Sequence, residues 1–147
     1  MKQIFLISLF SLFLGISSGF AQSAKLVVTT SGQIKGKYLG ENRSQYKVEW
    51  SDIYWVPKRG HKVVTYSAAN GQGYVHVKYG KGAVNVRQQP NTNSPVVAKI
   101  VNAEEAIGDI DEGYRCLGKS GNWYKIQADG KVGFVRSDLV EWDWGSY

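Results

Sequence analysis

The sequence has little of the chemistry on which metal centres, disulfide scaffolds and most enzymes depend. Its 147 residues include one cysteine, two histidines, one methionine and three prolines. Because Cys116 is alone, no intramolecular disulfide can form, and packing must stabilise the fold. Two histidines and one cysteine without clustered spacing predict no metal site, no cofactor and no catalytic residue. We therefore expect a buried, inert thiol and no enzyme activity; a small hydrolase that uses Cys116 is the weaker alternative.

The one long apolar run of the sequence lies at the N-terminus. Lys2 precedes an apolar stretch from Ile4 to Ile16, and small residues then lead to Ala21. This pattern predicts a signal peptide over residues 1–21, because the run is too short to span a bilayer comfortably. No cysteine lies near the cleavage site, which argues against a lipid anchor. We expect an exported protein, periplasmic or extracellular, without a transmembrane segment after cleavage.

Charge is distributed unevenly along the chain. Residues 22–82 carry ten Lys and Arg against three Asp and Glu, a net charge of +7, whereas residues 83–147 carry seven against nine, a net charge of −2. This difference predicts a small basic β unit over residues 22–72 and a second unit over residues 73–147. The boundary would lie in the segment 67–73, which could instead be a hairpin loop within one larger unit. A basic surface suits anionic envelope polymers or phospholipid headgroups, but it can equally be merely solvated.

Short segments with alternating apolar and polar residues, separated by turn-forming residues, predict an all-β fold. In the first half we expect strands over residues 25–29, 33–39, 45–49, 53–56 and 61–66. In the second half we expect strands over residues 73–79, 83–87, 96–100, 114–118, 123–127, 131–136 and 139–141. No segment beyond the signal peptide shows a helical apolar stripe. The acidic segment 102–113, which has five carboxylates in nine residues, is expected to be a solvated loop, with weak cation or partner binding as the alternative.

Three motifs follow one another in the second half of the chain. Val84-Asn85-Val86-Arg87 leads to Pro90, Gly121-Asn122-Trp123-Tyr124-Lys125-Ile126 follows, and Gly130-Lys131-Val132-Gly133-Phe134-Val135 comes last. Together they resemble the bacterial SH3 (SH3b) domain over about 60 residues. The resemblance implies a small SH3-like β-barrel that acts as a binding module in exported bacterial proteins and has no catalytic apparatus.

The resemblance also implies where a ligand would bind. The candidate ligand-binding residues are Arg87, Gln89, Asn91, Trp123, Tyr124 and Arg136. Trp123 and Tyr124 are neighbours on one strand, so one of them should pack in the core while the other is displayed. The arginines would pair with carboxylates. The implied function is non-catalytic binding in the cell envelope, to peptidoglycan or a wall peptide; the alternative is a periplasmic protein–protein adaptor that docks an envelope enzyme or a secretion component.

Three further features bear on partners. One is a mixture of aromatic and basic residues in the first half, which suits glycans: Trp50, Tyr54 and Trp55 with Lys58, Arg59 and Lys62. The favoured interpretation is that the aromatic residues are buried against the rest of the protein. No nucleic-acid partner is expected. The aromatic tail 142–147 either folds back or docks on a partner's strand edge. The sequence also contains a weak repeat: Tyr46-Lys47-Val48 with Trp55-Val56 is similar to Tyr124-Lys125-Ile126 with Phe134-Val135. A second SH3-like barrel would explain this repeat, and so would chance.

Overall fold

The computed structural model describes residues 22–145, which form two compact units rich in β-strands. The N-terminal unit spans Ser23–Tyr66, and the C-terminal unit consists of Gln22 with residues 67–145. The predicted all-β class is confirmed. The predicted signal peptide, residues 1–21, lies outside the described residues, as do Ser146 and Tyr147 of the tail. Within residues 22–145, no helix has the length and apolar character needed to cross a membrane.

The N-terminal unit is a meander of four antiparallel strands with a fifth strand beside the first. The strands are β1 (Ser23–Thr29), β2 (Ile34–Glu41), β3 (Gln45–Glu49), β4 (Ile53–Pro57) and β5 (His61–Ser67). Their order in the sheet is β4-β3-β2-β1-β5, so β4 is an edge strand. Because side chains alternate along the strands, Val27, Val48 and Val56 point into one small core. Tyr38 and Tyr46 pack against this core, and their rings contact each other edge to face.

The C-terminal unit contains a seven-stranded sheet. Its strands are β6 (Tyr74–Val77), β7 (Val84–Arg87), β8 (Val96–Ile100), β9 (Tyr114–Ser120), β10 (Trp123–Ala128), β11 (Lys131–Arg136) and β12 (Val140–Asp143), in the order β12-β6-β9-β10-β11-β7-β8. A five-residue helix, α1 (Ala103–Ile107), follows β8, and a 3₁₀ turn (Ser137–Leu139) precedes β12. The core side chains alternate along these strands and are Ala68, Val75, Val77, Val84, Val86, Ile100, Cys116, Tyr124, Ile126, Ala128, Val135 and Val140.

All twelve predicted strands are present, with ends that differ by at most a few residues. The sequence missed α1, since the connection after β8 was predicted to be a loop. This helix has no buried residue, so it lacks the apolar stripe by which helices are recognised. It is defined by its ends instead: the Asn102 side chain accepts a hydrogen bond from the Glu105 N–H, and Gly108 closes the helix in the left-handed region with φ of 69°.

The two units divide at Tyr66 and Ser67, earlier in the chain than the predicted boundary after Gln72. Residues 67–72 pack with the C-terminal unit because Ala68 is fully buried in its core. The Ala68 N–H donates to the Gln22 carbonyl over 2.9 Å. A Cβ atom on Gly71 would lie 2.7 Å from the Leu117 carbonyl oxygen, so the segment runs closely against β9. The small residues Ala68 and Gly71 had indicated a flexible linker, but they are small because the segment packs closely against the C-terminal unit.

The weak internal repeat corresponds to two hairpins with the same cross-strand pairs. In the β3–β4 hairpin, Tyr46 faces Val56 and Lys47 faces Trp55. In the β10–β11 hairpin, Tyr124 faces Val135 and Lys125 faces Phe134. Each unit thus uses a Tyr–Val pair on one face of its hairpin and a Lys–aromatic pair on the other.

Candidate functional site

A pocket of about 260 Å³ lies where β7, β10 and β11 come together in the C-terminal unit. Trp123 and Arg136 are direct cross-strand partners on β10 and β11. Arg87 at the end of β7 pairs with Phe134 of β11, which brings its guanidinium to the same region. We call this site the arginine pocket; its lining residues are Lys81, Ala83, Val84, Asn85, Arg87, Thr92, Trp123, Arg136 and Leu139.

Arg87 is held in place by the loop that follows β7. Its Nη1 donates to the Ser94 carbonyl over 2.9 Å. Ser94 is the one buried polar residue among residues 22–145, and its hydroxyl accepts the Gln89 N–H over 2.8 Å. The Gln88 N–H donates to the Pro95 carbonyl and closes the base of the loop. The loop is therefore ordered by its own hydrogen bonds before a ligand arrives, which lowers the entropy lost on binding.

Arg136 is an exposed cation at the edge of the arginine pocket. Its Nε and Nη2 donate to the two carboxylate oxygens of Asp138 over 3.0 and 2.6 Å. This hydrogen bonding holds the pKa of the Asp138 carboxyl below its usual value. A guanidinium has five N–H groups, so the pairing with Asp138 leaves donors for a second carboxylate.

The arginine pocket has a net positive charge. Lys81, Arg87 and Arg136 line it, and the nearby acid is Asp138, which pairs with Arg136. The Trp123 ring is half-buried and provides an apolar wall beside the two guanidinium groups. Such a site can hold a carboxylate by charge-assisted hydrogen bonds while an apolar or sugar surface packs on the indole.

The structure brings together three of the six candidate ligand-binding residues, namely Arg87, Trp123 and Arg136. Gln89 and Asn91 are exposed on the neighbouring loop but do not line the pocket. Their hydrogen bonds stabilise the loop itself: the Asn91 N–H donates to the Gln89 carbonyl, and the Asn91 side chain accepts the Asn93 N–H.

Tyr124 must be removed from the candidate set, because it is a core residue with 3% of its surface exposed. Burial raises the pKa of its phenol to about 12. The strand alternation had left open which of Trp123 and Tyr124 faces inward, and the structure assigns the core to Tyr124.

The sequence missed Lys81, Asn85 and Thr92 as pocket residues. Asn85 could have been found, because it lies two positions before Arg87 on β7 and therefore shares its face. Lys81 and Thr92 lie in connections whose paths depend on tertiary packing, and no periodic signal marks them.

Cys116 lies buried in the core of the C-terminal unit, as expected. Burial raises the pKa of its thiol. A catalytic cysteine requires a thiolate that a substrate can reach. The environment of Cys116 favours the protonated, inaccessible form.

A second concave region, a groove of about 650 Å³, is larger than the arginine pocket but opposite in charge. It lies between the acidic segment and the paired strands β6 and β12, and its acidic lining residues are Glu104, Asp109, Asp111, Glu141 and Asp143. The Asp111 carboxylate is 3.0 Å from Nδ1 of His76, a contact that fastens the acidic segment to β6. Within residues 22–145, no group of three or more His, Cys, Asp and Glu side chains is arranged to hold a metal ion. We place the candidate site in the smaller pocket because the motif residues converge there.

Trp142 and Asp143 of the aromatic tail belong to the sheet. Strand β12 pairs with β6, and Trp142 faces Val75. The Trp142 indole N–H donates to the Gln72 carbonyl over 2.7 Å. Removal of residues 142–147 would take away half of β12 and the Trp142 hydrogen bond, so a deletion of the tail would disturb folding as well as any adaptor function.

Comparison with known families agrees with the motifs. Residues 82–141 match the family model of the bacterial SH3 domain, and the match includes the arginine pocket residues from Ala83 to Leu139. No curated protein matches the chain. Bacterial SH3 domains commonly bind the cell wall and are usually extracellular or periplasmic. By its motifs, its strands and this match, the C-terminal half of the chain belongs to the bacterial SH3 domain family.

Proposed function

We propose that this is an exported, non-catalytic protein whose C-terminal unit binds a carboxylate-bearing peptide of peptidoglycan in the arginine pocket. The observation that carries the proposal is the convergence of Arg87, Arg136 and Trp123 in one positively charged pocket. Family membership supports the wall as the ligand source, since bacterial SH3 domains are commonly cell-wall binding modules.

The chemistry of the pocket favours a terminal or side-chain carboxylate of a wall peptide. The guanidinium groups supply planar N–H donors that match a carboxylate, and Lys81 adds a third positive charge. The pocket volume of about 260 Å³ suits one or two amino-acid residues. Trp123 would then contact the apolar part of the same group.

The experiment is co-sedimentation of the chain from Gln22 onward with purified sacculi, at low and high salt. Arg136→Gln is the main variant, because its exposed pair with Asp138 contributes little to stability. Loss of a hydrogen bond to a charged ligand should weaken binding roughly tenfold or more. Arg115→Gln is the matched control, an exposed arginine of the same unit that does not line the pocket.

A competition step tests the ligand chemistry directly. A free wall peptide with its carboxylates intact should displace the protein from sacculi, whereas the same peptide with amidated carboxylates should not. Equal weakening by Arg136→Gln and Arg115→Gln would mean nonspecific charge attraction. The absence of pelleting at any salt concentration would reject the wall as the partner and favour an envelope protein.

A further inference from the structure

The N-terminal unit displays large apolar side chains around its edge strand β4. Trp50, Ile53 and Trp55 expose 53%, 56% and 45% of their surfaces. Trp50 lies in the connection between β3 and β4, and the other two lie on β4 itself. Trp50 and Trp55 are therefore not part of the core of their own unit.

The strand register places two lysines on the same face as these apolar residues. Ile53 and Trp55 are two positions apart on β4 and share a face. Lys47 faces Trp55 directly, and its Nζ lies 5.9 Å from the ring centroid. Glu49 faces Ile53 on β3 and also faces Lys37 on β2, so Lys37 belongs to this face too. We call Lys37, Lys47, Ile53 and Trp55, with the adjacent Trp50, the aromatic face.

The charge of the unit determines the sign of its partner. Residues 23–66 contain eight Lys and Arg against three Asp and Glu, a net charge of +5. Glu41, one of the three acids, is paired with Lys58 over 2.7 Å. Glu49 is the acid that the register places on the aromatic face, against two lysines there. The complementary partner is anionic.

The combination of side chains favours a lipid surface over a soluble anionic polymer. Lysines and stacked aromatics would be enough for a charged glycan, and an exposed isoleucine between two tryptophans would contribute nothing to it. A bilayer interface accommodates all three types: tryptophan at headgroup level, aliphatic side chains below it, and lysine against anionic headgroups. We propose that the aromatic face docks on an anionic lipid surface, independently of ligand binding by the C-terminal unit.

The test is sedimentation with vesicles of phosphatidylcholine alone or mixed with phosphatidylglycerol, using the chain from Gln22 onward. The wild-type chain should bind the anionic vesicles and bind the neutral ones only weakly. Lys37→Gln with Lys47→Gln should weaken binding roughly fivefold for each lysine. Ile53→Ser with Trp55→Ser should weaken it about tenfold or more, because binding scales with the apolar area that enters the interface.

Matched controls come from the C-terminal unit. Ile107 and Ile110 are 76% and 68% exposed, and Ile107→Ser with Ile110→Ser should leave binding unchanged. Lys99→Gln with Lys125→Gln removes two exposed charges elsewhere and should have a clearly smaller effect. Circular dichroism verifies that each variant is folded.

Three results would overturn the proposal. One is the absence of binding to phosphatidylglycerol vesicles. Another is binding that survives both double substitutions in the aromatic face. The third is tight capture by a soluble anionic polysaccharide without any vesicle binding, which would assign the surface to a polymer.

Discussion

Gly133 is a position in the bacterial SH3 domain where a very small substitution should have a large effect. A Cβ atom there would lie 2.6 Å from Cγ1 of Val86, 2.8 Å from the Arg87 carbonyl oxygen and 3.0 Å from Cγ2 of Val97. Real Cβ atoms essentially never approach other atoms below 3.0 Å, so Gly133→Ala forces something to move.

The cost follows from which atoms must yield. Val86 is fully buried in the core, and the Arg87 carbonyl belongs to the strand that pairs with β11. Overpacking a core costs about 1–3 kcal/mol, and the involvement of backbone favours the upper part of that range. Since the unit has roughly 80 residues, each kcal/mol lowers the melting temperature by about 4–8 °C, so we expect a decrease of about 10–20 °C.

The assay is thermal unfolding followed by circular dichroism, with Gly145→Ala as the control. A Cβ atom on Gly145 meets nothing within 4 Å, so this variant should melt like the wild type. A decrease of less than about 2 °C for Gly133→Ala, well under the effect of one kcal/mol, would refute the close-packing argument. Weakened sacculus binding should accompany the loss of stability, because β7 and β11 carry both arginines of the pocket.

Two further predictions concern the same unit. Asn102→Ala removes two hydrogen bonds: the one from the Glu105 N–H that caps α1 and the one from the Asn102 amide to the Val77 carbonyl. The substitution should therefore lower the free energy of unfolding, measured by urea titration, by about 1–2 kcal/mol. The control substitution Asn93→Ala should leave that free energy unchanged. The pKa of Tyr124 is raised to about 12 in the folded state, so the tyrosine of the unfolded chain ionises at lower pH. The free energy of unfolding should therefore fall as the pH rises from about 10 to about 12. Tyr124→Phe should lessen that fall, and a variant with the same pH profile as the wild type would contradict this prediction.

The sequence predicted those parts of the fold that depend on local alternation. Val84 and Val86 face inward and Asn85 is exposed, as period two requires. The same rule could not decide between Trp123 and Tyr124, because both are large aromatics and either could have filled the core. That choice depends on which face of β10 the other strands cover, and only the assembled sheet shows it.

Features that depend on tertiary contacts could not be predicted from the sequence. Lys81 and Thr92 reach the arginine pocket from connecting segments, and no spacing rule links them to Arg87. The sequence also could not show that Trp55 lies outside the core of its own unit, because aromatic residues in a small unit usually supply its core. Here Tyr38 and Tyr46 pack against the core instead, on the face opposite Trp55.

The two equivalent hairpins have a consequence for how the chain sorts its strands as it folds. During folding, β3 and β10 present the same Tyr-Lys pattern, so each could start pairing with the other's partner strand and trap a misassembled intermediate. The largest difference in side-chain size between the two partner strands is at one position: Val48 faces Tyr54, whereas the corresponding Ile126 faces Gly133. A tyrosine could not enter the tight contact that Gly133 makes with Val86. The glycine at position 133 thus disfavours the pairing of β10 with β4 inside the C-terminal unit, which favours the native hairpin of β10 with β11.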